Sequence, residues 1–335
     1  LTRKKGRASI GIDVGGPSTL LALFDPSLNV LAERKLRTHP ETGGLRAFEK
    51  ALSGALSALL REAKKRSLDV RRIGVGCAGD IDLKRGVVRS SPNLTFLDGY
   101  PFRARLEEIT GARAFVANDV QAALYGEYHE GGARNARHVV GVWLGTGVGG
   151  ALIIDGRLHM GATGRAGNIG NYQLHTIDMP TAAAHKDVLD NAASRTAIAG
   201  EAAALAAKHR APALRKAVGT DVDGIRAGDI ARAIRNGDKA VGRLVRSRAN
   251  LVGAALSNLV DFLNPDLVVL GGGLVEAMPD LIRREVRRSI DAHADRKSAK
   301  AVKVVVAKLH SHAGTIGAAR LAIDVLNGGA PIRIE

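Results

Sequence analysis

The sequence predicts an α/β protein built from two similar lobes. Strand and helix patterns alternate along the chain, both halves open on strand, glycine turn, strand, and 335 residues suit two lobes of about 150 residues each. In the first half the opening is GIDVGG followed by LLALFD; in the second it is VWLGTGVGG followed by ALIID. Hydrophobic residues make up 45% of the chain, ample for a core, and no low-complexity linker or short solenoid repeat interrupts it.

Element by element, SIGIDV is a short apolar strand ending at Gly15 and Gly16, and TLLALFD (19–25) is its hairpin partner. NVLAERKLR alternates apolar and polar residues as a third strand. Leu45, Phe48, Leu52, Leu56 and Leu59 then recur at helical spacing on one face. RRIGVGCAG is a buried strand opening into glycine, and ARAFVAND is another, followed by the helix QAALYGEYH with Asn118 as its N-cap and Asp119 in its first turn. A second cycle starts at HVVGVWLGTGVGGALIIDGRLHMG, where Asp155-Gly156 makes a tight hairpin turn. From Ser194 to Asn264 the chain is helical and alanine-rich, with an interruption near TDVDGIRAGD. DLVVLGGGL, a helix, VKVVVAK and a last helix over 313–327 complete it.

Composition narrows the function. No apolar run approaches the roughly 18 residues of a membrane span, and LTRKKGRAS leads straight into a strand rather than a signal-peptide core, so a cytoplasmic protein is expected. One cysteine, Cys77, excludes an internal disulfide and a cysteine-built zinc site. The net charge of +16 could attract polyanions, but the basic residues are scattered at the spacing of solvated helix faces. Aromatic residues are only 3%, too few for stacking platforms, so nucleic acid is not the expected partner.

Two glycine turns carry the chemistry. In Leu144-Gly145-Thr146-Gly147-Val148-Gly149-Gly150, glycines allow positive φ and let backbone N–H groups face an anion, with the Thr146 hydroxyl as a further donor. A plain glycine-rich hairpin fits that stretch equally well. Asp13-Val14-Gly15-Gly16 follows the same logic and adds a carboxylate that could hold hydrated magnesium. Neither turn is a Walker loop, and no G-x-G-x-x-G opens a helix.

The set DVGG, SPNL (91–94), AND (117–119), LGTGVGG, AGNIGN and LNPDLVVLGGGL, in this order over nearly the whole chain, resembles the ROK (repressor, ORF, kinase) family of sugar kinases. The resemblance implies an actin-like, ribonuclease-H-like ATPase fold with two lobes around a central cleft: 8–117 with 311–327, and 118–310. It implies ATP and Mg2+, and a glucokinase-like phosphotransferase acting on a sugar or polyol. Carried over by residue, Asp13, Gly15 and Gly16 form the first phosphate loop, with Asp13 reaching magnesium through water. Gly145, Thr146 and Gly147 form the second loop, and Gly271 and Gly272 the adenosine site. Asp119 is the catalytic base, its place in a helix first turn favouring the ionised form. Asn93 and Asn118 bind sugar hydroxyls, and a homodimer is expected.

The departures fall in the sugar loop. Where the family reads G-E-x-G-H, this chain has Asn168 and Asn171, and its zinc loop has no cysteine in MPTAAAHKDVLDNAAS. Zinc is therefore not expected; His175, Asp178 and His185 read as ordinary polar residues. Asp190 stands where the family has another sugar-binding Glu. Pro17-Ser18 replaces Thr and Lys or Asn, with Ser18 or Thr19 left to supply the hydroxyl. Neutral amides bind hydroxyls more weakly than a carboxylate, at about 1 kcal/mol against roughly 1.5–3 for a charge-assisted bond. The expectation is a kinase of altered specificity. The alternatives are a sugar or nucleotide sensor without turnover, though only twelve residues precede Asp13 and none could form the helix-turn-helix of the family's repressors, and a kinase using polyphosphate.

Overall fold

The computed structural model describes residues 6–39, 43–174, 188–222, 224–329 and 332–333. His175, Asp178 and His185 lie outside them. In chain order the elements are β1 (Gly6–Val14), β2 (Ser18–Phe24), β3 (Val30–Arg37), α1 (Gly44–Lys65), β4 (Leu68–Cys77), β5 (Asp80–Asp82), β6 (Val87–Ser90), α2 (Phe102–Thr110), β7 (Arg113–Asn118) and α3 (Asp119–Glu130). Next come β8 (Val139–Leu144), β9 (Val148–Ile154), β10 (Arg157–His159), α4 (Leu189–Ala193), α5 (Arg195–Ala207), α6 (Pro212–Val218), α7 (Ala227–Arg235) and α8 (Lys239–Leu263). The chain ends through β11 (Leu267–Gly271), α9 (Gly273–Ala277), α10 (Pro279–His293), α11 (Arg296–Ala301), β12 (Lys303–Val306), α12 (Ala313–Leu326) and β13 (Ile332–Arg333).

Two compact units result. The first comprises the chain up to Asn135, Leu152–Ala166, and the chain from Ser311 on. Its sheet has the order β3-β2-β1-β4-β7, with β1–β2 and β2–β3 antiparallel and β1–β4 and β4–β7 parallel. Phe48, Leu52, Leu56 and Leu59 bury one face of α1, whereas Leu45, expected on that face, sits in the helix's first turn at 37% exposure. The boundary drawn at 118 from the sequence differs from this division, because α3 packs on α12 and so stays in the first unit.

That packing is unusually close. A Cβ at Gly317 of α12 would lie 1.7 Å from the Ala122 carbonyl of α3, and one at Gly74 of β4 would lie 1.8 Å from the Ala318 carbonyl. Only hydrogen fits there, so backbone rests on backbone. Asp155 (φ 52°) and Gly156 (φ 74°) make the expected tight turn between β9 and β10.

The second unit, Ala136–Ala151 with Gly167–His310, holds the parallel strands β8, β11 and β12, with β9 next to β8. Val268, Val269 and Leu270 of β11 are fully buried, as a strand covered on both faces requires. The 25-residue α8 packs along α10 and supports α4, α5 and α7. Among the described residues no helix is long and apolar enough to cross a membrane.

Candidate active site

In the first unit the candidate groups gather at the carboxyl ends of parallel strands, where ligands of open α/β sheets bind. The register pairs Asp13 of β1 with Gly76 of β4, and Gly76 with Ala117 of β7. Asp13 and Asp119 therefore stand on either side of a strand that ends in glycine and cysteine. A Cβ on Gly76 would meet Asp119 Cα at 3.2 Å, so the glycine sets how closely α3 starts against the sheet.

Asn118 caps α3 as expected, but its amide is more committed than the sequence suggested. Its Oδ1 accepts from Val120 N–H (3.0 Å) and Gln121 N–H (3.3 Å), and its Nδ2 donates to the Gly79 carbonyl (3.1 Å). Asn118 thus ties the start of α3 to the turn that follows β4 and aims the next residue, Asp119. Asn93 is exposed, and its carbonyl faces His39 Nε2 at 2.9 Å.

Burial dominates the charge state of both carboxylates. Asp119 is half-buried, and loss of solvent raises it to about 6, against the lowering pull of hydrogen bonds from Val120, its own N–H and Asn118. The expectation that the helix first turn favours its ionised form is corrected in that respect: desolvation outweighs it. Asp13 is raised to about 7, first by burial and then by the negative charge of Asp119. Its carboxylate abuts the first turn of α12, where a Cβ at Gly314 would lie 2.5 Å from both Cγ and Oδ2. Sequence reasoning missed Gly314, some 300 positions from Asp13, and no local signal marks it. The Cys77 thiol between the two carboxylates is fully buried and held well above its usual range by burial, then by Asp119 and Asp13, so it stays a neutral core group.

The first glycine turn is tightened by Gly15 N–H donating to the Ser18 carbonyl (3.2 Å). Of the two substitutes for the missing hydroxyl, Thr19 is ruled out. It is buried and its Oγ1 is hydrogen-bonded to Thr38 Oγ1 at 2.9 Å. Ser18 is half-buried.

In the second unit the 145–147 turn is bracketed by its own neighbours. Gly145 N–H donates to the Gly147 carbonyl (2.9 Å), Arg195 N–H to the Gly145 carbonyl (2.9 Å) and the Thr196 hydroxyl to the Thr146 carbonyl (3.0 Å). The positive φ expected of these glycines is not found: Gly145, Gly147, Gly149 and Gly150 all lie outside the left-handed region. Close approach explains them instead. A Cβ at Gly147 would sit 2.8 Å from Asp190 Oδ1, and one at Gly150 would sit 2.2 Å from the Gly167 carbonyl.

Gly271 and Gly272 lie where β11 turns against the strand leading into that turn. Gly272 does take positive φ (88°), and a Cβ there would fall 2.6 Å from the Leu144 carbonyl; one at Gly271 would enter the Trp143 ring. Asn168 and Asn171 are exposed on a loop that packs back on β9, with Gly170 against the Val148 carbonyl. Leu189 N–H donates to the Tyr172 carbonyl (2.9 Å), which ties this loop to α4 and so to Asp190. The turn, the amide loop, the β11 glycines and Asp190 therefore share one neighbourhood in this unit. The role of Thr196 was not legible in the sequence.

The open cavities along α5, α8 and α10 include none of these residues; Lys208, Arg243, Arg246 and Arg284 line them, part of the excess positive charge. The family model described as the ROK family matches residues 9–325. The glucokinase of Halalkalibacterium halodurans is 29% identical over 310 residues, covering 92% of each chain. The structure of a ROK family glucokinase from Streptomyces griseus in complex with glucose and AMPPNP superposes with a TM-score of 0.79 at 29% identity, covering 94% of this chain and 99% of that one. The ROK hexokinase of Thermus thermophilus gives 0.72 at 28% identity, covering 96% and 100%.

Proposed function

The chain belongs to the ROK family, and from that premise we propose that it is an ATP-dependent, glucokinase-like sugar kinase with the family's actin-like ATPase fold. The observation that carries the reading is the strand register, which aligns Asp13 and the start of α3 at the carboxyl ends of β1 and β7. Such a pair suits phosphoryl transfer, where one carboxylate holds a cation and another receives a proton.

Asp119 takes the proton of the attacking sugar hydroxyl. The oxygen–phosphorus bond forms as the bond from the γ-phosphorus to the ADP oxygen breaks, and the proton remains on the Asp119 carboxylate. A group near 6 is mostly ionised at neutral pH, yet basic enough to accept a proton in the transition state. Asn118 holds it in place through the cap of α3.

Asp13 fits a magnesium ion. A carboxylate raised to about 7 beside a second carboxylate is a group that a divalent cation would return to its charged form. When bound, magnesium neutralises charge on the transferring phosphoryl group. In the second unit the turn's three carbonyls are all held by protein donors, which supports an anion-facing role for residues 145–147. Gly271 and Gly272 belong to the adenosine side of the same reading.

Asn93, Asn168 and Asn171 recognise the acceptor, with neutral amides in place of the family's Glu and His. A polyol or a sugar suits them, not necessarily glucose. A zinc-free sugar loop, a homodimer and a cytoplasmic setting belong to the same proposal, and the single cysteine supports the first and last.

The test is ADP release across a panel of sugars and polyols, with the phosphorylated carbon located by phosphorus NMR and polyphosphate as a parallel donor. Turnover with ATP and at least one acceptor is expected. Saturable ligand binding with no turnover on any acceptor would replace the kinase by a sensor, a reading that the inward-turned Thr19 favours.

A further inference from the structure

Asp190 was expected to bind sugar, as the shortened counterpart of a glutamate. Its surroundings describe a different task. It lies in the first turn of α4, a helix fixed by the fully buried Leu189 and by the bond from Leu189 N–H to the Tyr172 carbonyl. From there its Oδ1 accepts the Val148 N–H at 2.5 Å, immediately after the 145–147 turn. It also fills the space that a side chain on Gly147 would need.

Asp190 is one clamp of three. Two residues at the start of α5 hold the preceding carbonyls: Arg195 through its N–H to Gly145, and Thr196 through its hydroxyl to Thr146. The stretch 145–148 is therefore held at residues 145, 146 and 148 by one short segment, 190–196. A turn with glycines at 145 and 147 has many conformations to lose. Fixing it before a phosphate arrives lowers the entropy cost of binding. Because a carboxylate accepts more strongly than an amide, the Val148 bond is the tightest of these constraints.

We infer that Asp190 is a positioning residue for the 145–148 phosphate turn, acting through the Val148 N–H, and not a sugar ligand. The inference rests on the kinase reading for what the turn holds, but the clamp itself does not.

The experiment compares Asp190→Ala and Asp190→Asn with the wild type in the full chain, using two readouts. Hydrogen–deuterium exchange follows the amides of residues 144–150 without any ligand. Steady-state kinetics separates the KM for MgATP from the KM for the sugar found in the acceptor panel. Removing a charge-assisted hydrogen bond is worth about tenfold or more. In Asp190→Ala the segment is expected to exchange at least about tenfold faster, and the KM for MgATP to rise by a similar factor, with the sugar KM within twofold. Asp190→Asn keeps an acceptor oxygen and is expected to stay within about threefold of wild type in both.

Unchanged exchange in Asp190→Ala, or a rise confined to the sugar KM, overturns the inference. If the wild type turns over no acceptor, the kinase reading fails on its own, and the exchange data still decide whether Asp190 fixes the turn. Asp190→Ser repeats the alanine arm should that variant not fold.

Discussion

Gly314→Ala is the substitution whose effect follows most directly from the packing around Asp13. A Cβ there would lie 2.5 Å from Asp13 Cγ and Oδ2, whereas ordinary contact begins near 3.4 Å, so the carboxylate must retreat by 3.4 − 2.5 = 0.9 Å. Two effects on stability oppose each other. Alanine improves helix propensity by about 1 kcal/mol, and overpacking costs about 1–3 kcal/mol. The net is a loss of about 0–2 kcal/mol, small enough to leave the protein folded. The effect on chemistry does not cancel: misplacing a positioned group by about 1 Å costs on the order of 100-fold in rate. Turnover and thermal midpoint are measured together, with Gly54→Ala as the control. A Cβ at Gly54 meets nothing within 4 Å, so alanine on that exposed face of α1 is expected to stabilise by about 0.5–1 kcal/mol and leave turnover unchanged. Gly314→Ala with turnover within threefold of wild type would refute the claim that Asp13 must stand against the start of α12.

Other consequences follow from the charges and the buried hydroxyls. Because Asp119 must be ionised to accept a proton, kcat/KM is expected to fall as pH drops through about 6, read from initial rates between pH 5 and 8. Asp13 and Asp119 bind more protons folded than unfolded between the ordinary value of 3.8 and their raised values near 7 and 6. Their contribution to stability is therefore fully present below 3.8 and is lost as pH rises toward 7. Magnesium is expected to flatten that decline in thermal melts, by favouring the ionised Asp13. Thr19→Val leaves the Thr38 hydroxyl buried without its partner and is expected to cost about 1–3 kcal/mol in urea unfolding. The double variant Thr19→Val, Thr38→Val is expected to recover much of that loss, since no orphaned hydroxyl remains.

The strands, the helices and the cap of α3 were legible in the sequence because they follow local rules. Two short apolar runs on either side of Gly15 and Gly16 mark the β1–β2 hairpin, and Asn118 sits where an N-cap belongs and does cap α3. Thr19 was also legible and was misjudged. It shares a strand face with Leu21 and Leu23, all three fully buried, so the period of two already turns its hydroxyl inward. The glycines of LGTGVGG suggest positive φ, but their reason is the approach of Asp190 and Gly167, which only the folded chain brings near. Gly314 belongs to the same class: α12 returns to the end of β1, in the middle of the sheet. The raised carboxylates could not be read at all, because desolvation depends on the surroundings and not on the residue's place in a helix.

Turnover depends most directly on the carboxylate at the start of α3. Asp119→Asn is nearly isosteric and leaves the Asn118 cap in place. Its turnover at saturating MgATP and sugar is the most direct measurement. A fall of about 10²–10⁴ is expected, with calorimetric binding of both ligands retained and the limb near pH 6 gone from the rate profile. Turnover within tenfold of wild type, with that limb intact, would contradict Asp119 as the base.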